Sequence, residues 1–197
     1  MTGRNVHGVE RGQQGALLIL TLVILLVISL LGMATMDTTG LEMKMASNNR
    51  DQQQAFEAAE YTLSWVENQI SQTVYSNESL SDSSCGSTCF EPTCSNGYCF
   101  DGSNPLDWAN CQLNSPAQEV YEEEALWQDG SGRHRTLVVP ATGITAKYII
   151  EFRCYTGLDS ATPMSVTNFA QLYRITAFAT GAADRGRVML RSTTKKL

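Results

Sequence analysis

The longest apolar stretch of the chain is Ala16–Met36, which contains no charged side chain. About 21 helical residues at a rise of ~1.5 Å each span about 31 Å, enough to cross the hydrocarbon core of a bilayer. A cleaved secretory signal has a shorter apolar region of ~7–15 residues before a small-residue cleavage site, and no such site is evident here. The pattern predicts a membrane-spanning helix.

The helical pattern continues after this stretch, through residues 37–74. Apolar residues recur there at steps of three or four, which is typical of a helix with one buried stripe. No proline occurs between residues 16 and 91, and Gly32 and Gly40 each cost a helix only ~1 kcal/mol relative to alanine. We expect one long helix whose second half packs on a sheet through the stripe Phe56, Ala59, Leu63, Val66, Ile70 and Val74.

Strand patterns appear only in the last third of the chain. Four segments are rich in β-branched and aromatic residues or alternate with period two, and a polar turn, Gly181–Gly186, separates the last two. One long helix, an irregular insert and an antiparallel sheet give an α+β fold. The predicted strands are Arg135–Val139, Lys147–Cys154, Leu172–Thr180 and Val188–Ser192, the third with Tyr173, Ile175, Ala177 and Ala179 on one side.

The insert, residues 75–132, is rich in Ser, Asn, Gly, Asp, Pro and Cys and shows little periodicity. It buries too little apolar surface to be ordered without cross-links. An even number of cysteines in a small exported domain predicts disulfides, and five of the six lie in the insert, so at least one pairs outside it. The cysteine outside the insert is Cys154, on a predicted strand, and we expect it to bond to one of the five insert cysteines. Six cysteines can pair in fifteen ways, and the sequence does not select one of them. The six are Cys85, Cys89, Cys94, Cys99, Cys111 and Cys154.

Two metal sites are alternatives to this scheme. The spacing of the first four cysteines is similar to that of a four-thiolate zinc site, but an oxidising compartment favours disulfides. The acids of residues 101–107 do not follow the order of a calcium-binding EF-hand loop, so this segment is interpreted as a polar turn. We therefore expect no metal and no cofactor.

The sequence offers little material for catalysis. Its two histidines are His7, near the N-terminus, and His134, beside a charged turn. Neither lies in a nucleophile motif, a zinc-protease motif, a phosphate loop or a dinucleotide fingerprint. The chain is predicted not to be an enzyme.

Charge is segregated along the chain, whose net charge is −6. Residues 76–132 contain ten acids and no Lys or Arg, whereas residues 133–197 contain ten bases and three acids. The two parts can attract each other within one fold or between neighbouring subunits, or the acidic part can be an ordinary solvated loop. A net negative charge without a basic field over the whole molecule argues against a nucleic-acid partner.

The residues before the apolar stretch carry Arg4 and Arg11 against Glu10. By the positive-inside tendency this short segment stays in the cytoplasm, so the cysteine-containing part is exported. The sequence thus predicts a single-pass inner-membrane protein with its C-terminal domain in the periplasm.

A short polar leader ending in Gly15, followed at once by a long apolar helix, resembles a type IV prepilin. The resemblance implies that a prepilin peptidase cleaves between Gly15 and Ala16 and N-methylates the new first residue. It also implies a type IV pilin-like fold, in which the amphipathic half of the helix packs on a C-terminal antiparallel sheet.

Three segments, residues 13–63, 147–155 and 173–194, are similar to the PilX minor pilins. The resemblance implies a structural subunit that primes type IV pilus assembly and lies at or near the tip. Its partners are then other minor pilins, the major pilin, the prepilin peptidase and the inner-membrane assembly platform. The expected organisation is a leader (1–15), a transmembrane half-helix (16–36), an amphipathic half-helix (37–74), the insert (75–132) and the sheet region (133–197).

Leu20 departs from the usual pilin pattern. Pilins usually carry glutamate as the fifth residue of the mature chain, where its carboxylate meets the N-terminal amine of a neighbouring subunit; counted from Ala16, that position is Leu20. PilX proteins and the K-type pseudopilin of type II secretion share this lack. The resemblance implies a subunit at the tip, which has no partner amine to meet. A type II secretion pseudopilin and a membrane-anchored adhesin or binding module remain alternatives.

Overall fold

The structure, a computed structural model, describes residues 14–75, 89–100, 119–157 and 169–197. Its contacts divide the chain into two units, one up to Ser47 and one from Asn48 to Leu197. The regular elements are the helix α1 (Gln14–Gln72) and the strands β1 (Tyr98–Cys99), β2 (Arg135–Val138), β3 (Thr145–Gly157), β4 (Phe169–Thr180) and β5 (Arg187–Lys196).

The first unit contains the apolar part of α1. Gly15–Met33 has a mean hydropathy of 3.0, and none of this segment is buried within the chain. The hydroxyl groups of Thr21 and Ser29 donate hydrogen bonds to backbone carbonyls of the preceding turn, so these polar groups are satisfied inside the helix. In length and composition the segment can cross a membrane, which fits the predicted anchor at Ala16–Met36.

The second unit contains one sheet in the order β1-β3-β4-β5, and β2 also pairs with β3. All pairs are antiparallel except β1 with β3, where Tyr98 lies opposite Ile150. The α+β, pilin-like fold is therefore confirmed, with one addition: the sheet is mixed because the insert contributes β1. Two residues are too few to show a period-two pattern, so this strand was not visible in the sequence.

The second half of α1 packs on one face of the sheet. The predicted alternation in β4 is confirmed, because the side chains on the helix-facing side belong to the main core, whereas Phe178 on the other side packs against a separate cluster. Phe152 and Tyr173 contact at 5.6 Å between ring centroids, and Phe90 from the insert packs against both. The helix-facing side of β4 consists of Tyr173, Ile175, Ala177 and Ala179.

The buried stripe of α1 differs in part from the predicted one. Phe56 is 46% exposed and Val74 is 87% exposed, so both were wrongly placed in the core. Val74 lies beyond the end of the helix at Gln72. In the middle of the stripe small side chains face the sheet and let the helix approach it closely. The buried face of the helix is therefore the one that contains them, and Phe56 lies outside it. The buried residues are Asp51, Ala55, Ala58, Ala59, Thr62, Val66 and Ile70.

The opposite side of the sheet, here called the outer face, is covered by described parts of the insert. Leu126 and Trp127, from a short 3-10 helix at Glu124–Trp127, pack against Ile149 of β3. The Trp127 ring contacts that of Phe178 on β4 at 5.4 Å between centroids. The insert therefore supplies a second, smaller core, and the sheet is covered on both faces.

Candidate functional site

The predicted processing site lies at the start of α1. Gly15 and Ala16 are in its first turn, because the helix begins at Gln14. Leu20 lies about one turn further, and its side chain is 58% exposed in the isolated chain. The exposed apolar surface of Gly15–Met33 is continuous, and such a surface needs lipid or another protein to cover it.

Cys94 and Cys99 form a disulfide that closes a loop of the insert. Between them, Asn96 has a φ of 54°, a left-handed backbone conformation that asparagine tolerates better than most residues. Both cysteines are buried against the outer face. Because they bind each other, neither is a ligand of the four-thiolate zinc site considered above.

Cys89 and Cys154 are disulfide-bonded as well, and Cys154 is fully buried on β3. The full six-cysteine scheme stays a prediction, since two cysteines and the calcium candidate at 101–107 lie outside the described residues. With Cys94 and Cys99 paired, the partner of Cys154 is one of Cys85, Cys89 and Cys111.

A cluster of charged side chains is buried between the insert and the outer face. Arg174 on β4 binds Glu151 on β3 in a bidentate pair, with Nε–Oε2 and Nη2–Oε1 distances of 2.9 and 2.8 Å. Its Nη2 also donates to Glu119 of the insert. Burial lowers the pKa of Arg174, but the hydrogen bond and charge of Glu151, followed by those of Glu119, raise it above the ordinary value. The cation is therefore permanent and holds the end of the insert on the sheet.

The oppositely charged parts of the sequence meet within one chain. Besides Glu119 with Arg174, two other acids of the acidic stretch bind bases from the C-terminal part. Glu123 lies 2.7 Å from Arg133, and Asp129 lies 2.6 Å from Lys147. Each of these two pairs has one well-exposed partner and adds little stability. Of the outcomes left open by the sequence, pairing inside the fold is observed for these three acids.

His134 supports the loop before β2. Its Nδ1 donates to the carbonyl oxygen of Leu126 at 2.7 Å, and its ring stacks on Trp127. Ser131 Oγ lies 3.2 Å from the same nitrogen. These contacts fix the loop against the smaller core.

A buried acid joins α1 to the turn between β4 and β5. Asp51 is 3% exposed and accepts backbone hydrogen bonds of 2.7–2.9 Å from Ala183, Arg185 and Gly186. A β-carbon on Gly186 would come within 2.6 Å of the Gln52 nitrogen, so the turn fits against the helix only without a side chain there. This contact between Asp51 and the turn was not predicted from the sequence; its signal there is an acid within the apolar stripe and a glycine-containing turn.

The contact between Asp51 and the turn predicts that the stability of the turn depends on pH. Backbone hydrogen bonds, first from Ala183 and then from Gly186, hold the pKa of Asp51 below its ordinary 3.8. A lowered pKa in the folded state means that the stabilisation is complete above pH ~4 and disappears as the pH falls towards the folded-state pKa. We expect amide hydrogen exchange in the 181–186 turn to accelerate over that acid range.

In Asp51→Asn, the amides of the turn should exchange quickly even at neutral pH. The matched control is Gln52→Ala, which should behave as the wild type. We expect Asp51→Asn to lower the melting temperature by roughly 5 °C, since hydrogen bonds to a charged acceptor are lost. Slow, pH-independent exchange in Asp51→Asn would contradict the claim that the Asp51 carboxylate holds the turn.

Comparison with known proteins agrees with the fold. Residues 14–63 match the family model described as PilX N-terminal, and residues 95–196 match the one described as Type IV pilus assembly protein PilX C-term. No curated protein and no solved structure matches the chain. The second family match alone spans more than half of the 197 residues. The chain belongs to the PilX family of type IV pilus assembly proteins.

Proposed function

We propose that this minor pilin primes pilus assembly and occupies a position at or near the pilus tip. The observation that carries the proposal is Leu20, an apolar residue at the fifth position after Gly15, in a chain that belongs to the PilX family. A shaft subunit has a neighbour whose terminal amine needs a carboxylate. A tip subunit has none, and an unpaired acid in the bilayer is unfavourable.

The protein first resides in the inner membrane, with its second unit in the periplasm, and moves to the pilus tip on assembly. The exposed apolar segment Gly15–Met33 supports the anchor, and the Cys94–Cys99 disulfide supports an oxidising compartment. Its partners are other minor pilins, the major pilin, the prepilin peptidase and the inner-membrane assembly platform. The family match favours the pilus over a type II secretion pseudopilin or a separate adhesin.

The role is structural, without catalysis. The polar clusters built by the described residues support this, because their groups bind one another: Arg174 with Glu151 and Glu119, and Asp51 with the backbone of the turn. Such groups hold the insert, the sheet and the helix together.

We expect processing between Gly15 and Ala16. Mass spectrometry of the N-terminal peptide from cell membranes should find a mature chain that begins with methylated Ala16. Gly15→Val should leave the leader attached, because a side chain would stand at the cleavage site, whereas Gly40→Val, further along the same helix, should be processed normally. Recovery of residues 1–15 on the wild-type protein in assembled pili would refute the proposal.

Replacing Leu20 with glutamate should not improve assembly. An unpaired acid costs ~2.5–3.5 kcal/mol at the centre of a bilayer and less near the interface, so we expect weaker membrane insertion and fewer pili. The matched control is Leu22→Glu, which introduces the same charge at a position without a role in subunit pairing and should do comparable harm.

The measurement is the number of filaments and the location of labelled subunits in wild-type and variant cells. Labelled protein along the whole shaft, with more of it in Leu20→Glu than in Leu22→Glu cells, would show that an amine partner exists and that the tip position is wrong.

A further inference from the structure

β5 is the last strand of the sheet in the part of the chain that the structure describes. It pairs with β4 along all ten of its residues and with no other strand among the described residues. In an antiparallel pair about half of the N–H and C=O groups of an edge strand point away from its neighbour, so β5 has a row of backbone groups that no described strand pairs with.

Several devices that usually protect such an edge are absent from β5. The strand is long, its register with β4 shows no bulge, and it contains no proline. By contrast, β3 has a register shift between Phe152 and Cys154. The backbone of β5 is therefore regular enough to accept a further strand.

The side chains of β5 limit which strand can be added. Arg187, Arg191 and Lys195 follow one another at every fourth position, so they lie on the same face, the outer one, about 13–14 Å apart. No acid occurs between residues 185 and 197. Pairing with β5 of a second copy would bring two such cationic strands together, and like charges on paired strands are destabilising.

Two of these cations are held in place. The Arg191 guanidinium lies 4.0 Å from the centre of the Tyr121 ring and 3.9 Å from Glu119. Lys195 donates to the carbonyl oxygen of Gly157 at 2.6 Å. Met189, which lies between Arg187 and Arg191 on the same face, is 38% exposed and would be covered by an added strand. Two of the three cations of the row are thus held in place before any partner arrives.

We propose that β5 is a strand-addition site that takes an extended, acidic segment of another pilus subunit, with carboxylates at about four-residue spacing on the face that meets the cations. Backbone hydrogen bonds supply the pairing, and the charge row selects the acidic partner. The inference rests on the proposed function only for the source of the segment; the chemistry of the edge is independent of it.

The test uses the full chain in detergent and three synthetic peptides of about ten residues. The first alternates valine and threonine and carries glutamate at every fourth position; the second has lysine in place of glutamate; the third is the acidic peptide with alternate backbone nitrogens methylated. We expect the acidic peptide to bind and to slow hydrogen exchange at alternate β5 amides at least tenfold. The other two should bind at least tenfold more weakly, because like charges repel or the backbone donors are missing.

Charge reversal provides the control. Arg187→Glu with Lys195→Glu should lose the acidic peptide and gain the lysine peptide, whereas Lys44→Glu with Arg50→Glu, an equal charge change on α1, should leave binding unchanged. No binding of the acidic peptide, binding without protection of β5, or equal binding of the methylated peptide would each overturn the proposal. Failure here leaves the tip position untouched, because that position is tested by the Leu20 variants.

Discussion

Replacing Arg174 with methionine should lower the free energy of unfolding by about 3–5 kcal/mol, because the buried Glu151 carboxylate loses both of its hydrogen bonds from Arg174 and keeps only the longer contact with Arg153, at 3.9 Å. Glu151 and Arg174 are both 3% exposed, so the lost hydrogen bonds are ones that the solvent does not reach in the folded protein. Glu119 would lose its hydrogen bond from Arg174 and keep only the longer contact with Arg191, at 3.9 Å, so the end of the insert should be held less firmly on the sheet. Urea unfolding of the full chain in detergent, followed by tryptophan fluorescence, measures the change.

Two further variants separate charge burial from general damage. Arg174→Met combined with Glu151→Leu should recover most of the loss, since it replaces a buried ion pair by apolar side chains of similar size. Glu123→Gln removes one partner of the more exposed pair with Arg133 and should cost less than about 1 kcal/mol. Equal losses in Arg174→Met and Glu123→Gln would show that the cluster does not anchor the insert.

Loss of the Cys154 disulfide should have an effect of similar size. Whichever of its three candidate partners it binds, the closed loop contains about 40 to 70 residues, and chain entropy gives roughly 4 kcal/mol for a loop of that length. The loop between Cys94 and Cys99, with a sequence separation of 5, gives only about 2 kcal/mol by the same relation. We therefore expect Cys154→Ala to destabilise the second unit about twice as much as Cys94→Ala with Cys99→Ala.

The same unfolding assay, with and without a thiol reductant, measures both effects. Reductant should lower the stability of the wild type by at least as much as Cys154→Ala does, and it should have a smaller effect on that variant. Peptide mapping without reduction identifies the partner. A wild type whose stability is insensitive to reductant would contradict the disulfide scheme.

The strands near the C-terminus were predicted well because each carries its own signal. β4 alternates, and the residues on its helix-facing side, such as Tyr173 and Ile175, are the ones that the structure buries. Lys147–Cys154 and Val188–Ser192 lie inside the longer β3 and β5. The ends were missed because strand length depends on which neighbours continue the hydrogen-bonded ladder, which is not a local property.

The stripe of α1 was predicted less well. A spacing of three or four residues is compatible with several neighbouring faces of a helix. The large apolar side chain of Phe56 favoured a face that the structure leaves exposed. The face that packs on the sheet contains Ala55, Ala58 and Ala59, because their small side chains let the backbone of α1 approach the backbone of the sheet closely.

The sequence by itself determined the apolar segment, the helix and the principal strands, because each depends on residues that are neighbours in the chain. The tertiary structure decided how distant groups meet: Asp51 with the turn at Gly186, and Arg174 with Glu119. Such contacts depend on the topology that brings α1, the insert and the sheet together. No local periodicity records them, since hydrogen bonds and ion pairs form between whatever groups the packing of the core places side by side.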